Sequence, residues 1–255
     1  MLYNKDKKGT IILSHYRSGG TQLLSTLWLA IGEKNSTKLG EWNGTDVDDY
    51  YKSGKVIDES EKFYNWLENS DNNQLNKISG KYTLTLLNNP YSITKFYLKG
   101  MFTKLKDDYN IVVLERKNKV NCILSLELWE LFIQTGIFGK GYESWDKETM
   151  LEFHNLILKK PLVLHNPHDT LKNFTLDIHL LKKIQQEFDF PKIYYEDFEY
   201  DRNYLVSWFE DIDEEHIKFV AERCEQKIPY VYKNYIDYYD DVTKDIIKEW
   251  KLNEL

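Results

Sequence analysis

Residues able to bind and activate an anion gather first in one stretch, Ile11-Ile12-Leu13-Ser14-His15-Tyr16-Arg17-Ser18-Gly19-Gly20-Thr21-Gln22-Leu23. A short apolar run, a turn with two glycines and then apolar Leu23, Leu24, Leu27, Trp28 and Ile31 at helical spacing spell strand, turn and helix. A turn that opens a helix aims successive backbone N–H groups at one point, and the helix dipole adds to them, so a phosphate fits there. Gly19 and Gly20 allow positive φ and close backbone approach. Ser18, Thr21 and Gln22 offer side-chain hydrogen bonds, and Arg17 brings a permanently charged fork of donors. The same residues also spell a plain strand–turn–helix connection with a surface arginine. The pattern is not the nucleotide loop GxxxxGK[ST]: no Lys follows Gly20, and the basic residue precedes the glycines.

A second stretch runs Val112-Val113-Leu114-Glu115-Arg116-Lys117-Asn118-Lys119 and on to Leu124-Ser125-Leu126. A buried strand ends at Arg116, and Ser125 follows nine residues later on a helix. A turn and about two helical turns fit between them, so both side chains can face one anion at the top of a sheet. Taken singly, Arg116 also fits a capping or surface arginine, and Ser125 a serine bonding its own helix backbone.

The elements that must position these residues read as strands over 10–14, 110–115 and 192–195, with weaker strand signals over 82–87 and 93–98. Helices are expected over 21–31, 59–68, 119–134, 147–159, 170–188, 204–210, 214–226 and 242–251, and a loop over 35–53. Strands alternating with helices predict a mainly parallel sheet covered on both faces, a three-layer α/β/α fold. Neither repeats nor composition shifts divide the chain, so residues 1–255 read as a single domain. Hydrophobic residues make up 42% and charged residues 29% of the 255, as in ordinary soluble proteins. The apolar run at Ile11–Leu13 is too short for a signal peptide or a membrane span, so a soluble, cytoplasmic protein without membrane insertion is expected. Cys122 and Cys224 lack CxxC spacing and read as buried free thiols. The net charge of −7 argues against a protein that coats nucleic acid, yet leaves room for a local basic pocket.

Arg17-Ser18-Gly19-Gly20-Thr21-Gln22-Leu23 resembles the 5′-phosphosulfate loop of sulfotransferases, which runs Arg or Lys, Ser/Thr-Gly-Ser/Thr-Ser/Thr, an apolar or aromatic residue, and Leu. The departure is Gly20, where the family usually carries a hydroxyl. Arg116-Lys117-Asn118-Lys119 with Leu124-Ser125-Leu126 is similar to the family's 3′-phosphate motif, in bacterial trehalose-type members Arg-Arg-Asp-Lys followed by Val-Ser-Leu. Lys117 and Asn118 depart from it. Tyr194-Tyr195-Glu196-Asp197-Phe198 resembles the Tyr-Glu-Asp-Leu that follows a late strand, whose family role is mostly structural. Lys233-Asn234-Tyr235 weakly resembles a late nucleotide-contacting segment.

The resemblance implies a P-loop NTPase-like fold and transfer of a sulfuryl group from PAPS (3′-phosphoadenosine 5′-phosphosulfate) to an acceptor hydroxyl, leaving 3′-phosphoadenosine 5′-phosphate and needing no metal. Arg17, Ser18, Gly19, Gly20, Thr21 and Gln22 would hold the 5′-phosphosulfate, and Arg116 and Ser125 the 3′-phosphate. Arg17 would also stabilise the leaving charge. Such a reaction needs a general base, for which Glu41, Glu33 and His15 are candidates. Leu39-Gly40-Glu41-Trp42 is similar to the segment carrying the base in the trehalose-type branch, which favours Glu41, with His15 next. The acceptor would be a glycan or another small molecule. His165 and His168 lack a third partner and read as incidental rather than metal ligands. Tyr230, Tyr232, Tyr235, Tyr238 and Tyr239 fit either an acceptor site or packing. The alternatives are a kinase or NTPase, suggested by the strand ending in Glu115, and a non-catalytic binding module on the same fold.

Overall fold

A computed structural model describes residues 3–16, 18–32, 34–42, 82–134, 155, 159, 161–164, 166–200, 204, 206–209, 212–223 and 235–252. Five strands are present: β1 (Gly9–Ser14), β2 (Ser36–Trp42), β3 (Tyr82–Leu87), β4 (Tyr109–Glu115) and β5 (Lys192–Tyr194). Eight α-helices are described: α1 (Gly20–Ile31), α2 (Pro90–Leu98), α3 (Met101–Leu105), α4 (Lys119–Gln134), α5 (Pro167–Phe188), α6 (Tyr195–Tyr200), α7 (Glu214–Arg223) and α8 (Asp241–Lys248). The chain divides into two compact units, Met1–Glu115 with Leu180–Cys224, and Arg116–His179 with Glu225–Leu255.

The first unit is α/β. Its strands lie in the order β2-β3-β1-β4-β5, and every neighbouring pair is parallel. All residues of β1 and β3 are buried, as continuous apolar runs covered on both faces require. Alternate side chains feed two cores. Ile12, Leu84, Leu86, Val112, Leu114 and Ile193 pack with residues of α1, α6 and α7. Ile11, Leu13, Leu87, Ile111 and Val113 pack with residues of α2, α3 and the end of α5. Helices therefore cover both faces of the sheet. No helix among the described residues is long and apolar enough to cross a membrane.

Three local expectations are corrected. Residues 36–42 are the edge strand β2 rather than loop, paired only with β3 and carrying a register irregularity between Lys38 and Glu41. Residues 93–98 belong to helix α2 rather than a strand. Pro90 has the fixed φ suited to a helix's first turn, Asn89 Oδ1 accepts from the Ser92 N–H at 3.4 Å, and Ile93 and Phe96 fall on the buried side. At the late strand, β5 ends at Tyr194 and Tyr195 already opens α6. Helix α3 carries no clear sequence signal. The helix expected over 59–68 lies outside the described residues, as does all of 147–159 except Asn155 and Lys159.

The second unit is helical. Leu124 and Leu128 of α4, Ile247 of α8, Leu164, Tyr235 and Tyr239 form one core, with Tyr238 against its edge. These three tyrosines therefore pack, while Tyr230 and Tyr232 lie outside the described residues. Cys122 is buried in a second core with Ile123, Phe174, Ile178 and Leu252; Cys224 and His165 are outside the described residues.

Candidate anion site at the first strand–helix turn

The order of strands marks one edge of the first unit's sheet as a place where open α/β sheets bind ligands. Connections leaving the carboxyl ends of β1 and β4 run to opposite edges of the sheet, to β2 and β5 respectively. Adjacent strands whose connections part in this way form the switch point at which open α/β sheets bind ligands. Ser14 is level with Leu114, and Leu114 with Ile193, so β1, β4 and β5 end side by side.

The turn between β1 and α1 lies at that edge. Gly19 sits at φ +85°, in the left-handed region, and precedes the first helical residue, Gly20. Gly19, at the N-cap, has no side chain to cap α1, and the first turn holds no acidic residue. Helix N-termini leave their first N–H groups without intrahelical partners, so this end presents donors and positive potential together. Ser18 is 2% exposed, and its N–H donates to the His15 carbonyl at 3.3 Å, tightening the turn. Thr21 is exposed and Gln22 partly buried.

Two close approaches explain the glycines. A Cβ on Gly19 would overlap the ring of Tyr195. A Cβ on Gly20 would lie 2.6 Å from Leu86 Cδ1 and 3.1 Å from Ser14 Oγ. The departure from the resembled loop at Gly20 thus has a steric cause: Leu86 of β3, fully buried, fills the space a side chain would need. Ser14 is 1% exposed and its Oγ has no hydrogen-bond partner among the described residues. An unpaired buried hydroxyl carries a desolvation cost, and this one lies against the start of α1.

Tyr195 brings the third sequence motif to the first. It is buried, stands edge-on to Phe198 at 5.1 Å, and its hydroxyl donates to Gln22 Oε1 at 3.0 Å. Ser14 does not stand out in the sequence, and Tyr195 does so only as part of a motif whose role is mostly structural. A polar residue ending an apolar strand was the available signal for Ser14; the contact of Tyr195 depends on strand order.

The candidate bases are placed unequally. His15 is buried, with Nδ1 2.8 Å from the Tyr16 carbonyl oxygen. That contact favours a proton on Nδ1 and leaves Nε2 as the basic nitrogen. Glu41 holds a register position level with Leu86, which is level with Ile12. At the ordinary strand spacing its backbone stands about 10 Å from that of β1. The Glu41 side chain, Glu33 and Arg17 lie outside the described residues.

Arg116 and Ser125 belong to the second unit. Arg116 is partly buried and directly follows β4; Ser125 is 4% exposed within α4. Asn118 Oδ1 accepts from the Asn121 N–H at 2.9 Å, capping α4. Asn and Asp serve almost equally there, so the Asn118 departure keeps this function.

Glu115, the acid of the kinase alternative, is buried and paired with Lys192 at 3.9 Å. Partial burial pulls the Lys192 ammonium down, but its bond with Tyr194 and the charge of Glu115 outweigh that and hold it above its ordinary value. Among the described residues, no group of three or more His, Cys, Asp or Glu is arranged to hold a metal ion. No protein-family model matches the chain, and no curated protein matches it significantly.

Proposed function

We propose that the protein is a PAPS-dependent sulfotransferase acting on a hydroxyl of a glycan or other small molecule. The observation that carries this reading is the start of α1 at the switch point, where left-handed Gly19 offers no capping side chain and the Ser14 hydroxyl beside it has no partner among the described residues. Such an end suits a tetrahedral anion. Both glycines are required by packing, since Tyr195 and Leu86 occupy the space where a side chain would stand.

In this reading residues 18–22 hold the 5′-phosphosulfate through backbone N–H groups and the side chains of Ser18, Thr21 and Gln22. Arg17 stabilises charge on the departing phosphate. Arg116 and Ser125 hold the 3′-phosphate. Glu41 takes the proton from the acceptor hydroxyl as its oxygen bonds to sulfur, while the bond from sulfur to the phosphate oxygen breaks. Catalysis then rests on positioning and on stabilising the transferred charge, with His15 Nε2 the second choice of base. The pairing of Glu115 with Lys192 speaks against Glu115 as the metal-binding acid of a kinase or NTPase.

Calorimetric titration with 3′-phosphoadenosine 5′-phosphate tests the reading. Binding without added metal is expected. No binding at millimolar nucleotide to folded protein would overturn it, and binding of ATP only with magnesium would favour the kinase alternative.

A further inference from the structure

We infer that Tyr195 is a positioning residue that turns Gln22 into an anion donor, an inference that rests on the nucleotide-binding reading above. The Gln22 amide carries one acceptor oxygen and two N–H donors. Its Oε1 is taken by the Tyr195 hydroxyl at 3.0 Å. A carbonyl oxygen near an anion would repel it; held by the phenol, that oxygen is fixed away, and Nε2 with its two hydrogens is the end left to donate. Gln22 lies in the first turn of α1, whose N-cap residue, Gly19, has no capping side chain. It can therefore supply a neutral donor where Gly20 supplies no hydroxyl.

Tyr195 is suited to this task because it cannot move. It is 1% exposed, stacked edge-on against Phe198, and opens α6 directly after β5. Its ring also occupies the space beside Gly19, so one side chain fixes both the left-handed turn and the amide. The independent sign of a ligand at this helix start is the unpartnered Ser14 Oγ, which lies 3.1 Å from where a Gly20 Cβ would be.

The test is a double-mutant cycle on affinity for 3′-phosphoadenosine 5′-phosphate, with thermal unfolding as the control for folding. Tyr195→Phe keeps the ring and removes the hydroxyl; Gln22→Leu removes the amide. Each should weaken binding by about three- to tenfold, the range of one hydrogen bond. Together they should weaken it no more than Gln22→Leu alone, because Tyr195 acts through Gln22. Gln22→Glu keeps an acceptor for the phenol but replaces the donor end by charge, and should weaken binding further than Gln22→Leu. Wild-type binding with additive single effects, or with Gln22→Glu as tight as wild type, overturns this inference alone. Wild-type protein that does not bind the nucleotide overturns the sulfotransferase reading and this inference with it.

Discussion

Replacing Gly20 separates what the resemblance implies from what packing allows. The resembled loop carries Ser or Thr at this position, so Gly20→Ser would be expected on that ground to add a hydroxyl contact and tighten nucleotide binding. The packing predicts the reverse. A Cβ there would stand 2.6 Å from Leu86 Cδ1, 2.9 Å from Leu86 Cδ2 and 3.1 Å from Ser14 Oγ. Leu86 is fully buried in the same core as Leu23, Leu27 and Leu84, so a shift of its methyls disturbs close packing. Overpacking of this kind costs about 1–3 kcal/mol. The gain from Gly to Ala inside a helix is about 1 kcal/mol at most, and smaller at a first position. Gly20→Ala should therefore destabilise the protein by about 1–2 kcal/mol, lowering the melting temperature by roughly 2–8 °C for a chain of this size. Leu86→Val alone should cost about 1 kcal/mol, yet the double substitution should cost clearly less than the sum, because valine vacates the contested space. Denaturant unfolding of the four proteins measures the coupling. A stabilised Gly20→Ala protein, or strict additivity with Leu86→Val, would refute the steric account. Gly20→Ser that binds 3′-phosphoadenosine 5′-phosphate more tightly would refute its functional consequence.

Other outcomes follow from the proposed function and from burial. Arg116→Ala should weaken binding of 3′-phosphoadenosine 5′-phosphate by roughly ten- to a hundredfold, the worth of a bond to a charged group, and the remaining affinity should depend less on salt in calorimetry. Glu41→Ala should leave that affinity nearly unchanged and slow sulfuryl transfer by about 100- to 10,000-fold, the usual contribution of a general base; full activity in a PAPS-coupled assay would return the role to His15. Burial first, and Asp108 second, push the Tyr109 phenol up to about 12. The folded state thus keeps a proton that the unfolded chain releases near pH 10. Stability from this group is complete below pH 10 and lost as pH rises towards 12. Tyr109→Phe should flatten that alkaline decline in unfolding experiments.

Much of the frame was legible because it rests on local pattern. The runs in β1 and β4 are buried on both faces, and continuous apolar character marks such strands. Helix α1 shows its buried stripe at Leu23, Leu24, Leu27 and Ile31. Strand β2 was not legible, since Ser36-Thr37-Lys38-Leu39-Gly40-Glu41-Trp42 has little apolar content and its pairing comes only from β3. Residues 93–98 misled because Ile, Phe and Tyr suit strands. The deciding signal stood earlier, in Asn89-Pro90, where Asn89 caps the helix. The strand, glycine turn and helix over 9–31 were legible as a pattern, but the steric reasons for the glycines were not. Leu86 lies 66 positions beyond Gly20 in the chain, and Tyr195 lies 176 beyond Gly19. Only the order β2-β3-β1-β4-β5 brings those residues to one turn.

The proposed function asks an acidic chain to hold an anion, and the strand order bears on that. With 41 Asp and Glu against 34 Lys and Arg, the overall field is negative, but at physiological salt it decays within about 8 Å. What counts is the charge near the start of α1. Its first turn has no acid, and its N-terminal N–H groups carry partial positive charge. Glu115 ends the neighbouring strand, one residue past the level of Ser14. Side chains alternate along a strand, and Val113, two positions before it, packs on the face opposite α1. Glu115 is therefore on that opposite face, where Lys192 meets it at 3.9 Å. The sheet thus separates its one buried carboxylate at this edge, among the described residues, from the donors of the turn. Glu115 on the far face adds no carboxylate to the side of the sheet on which α1 packs.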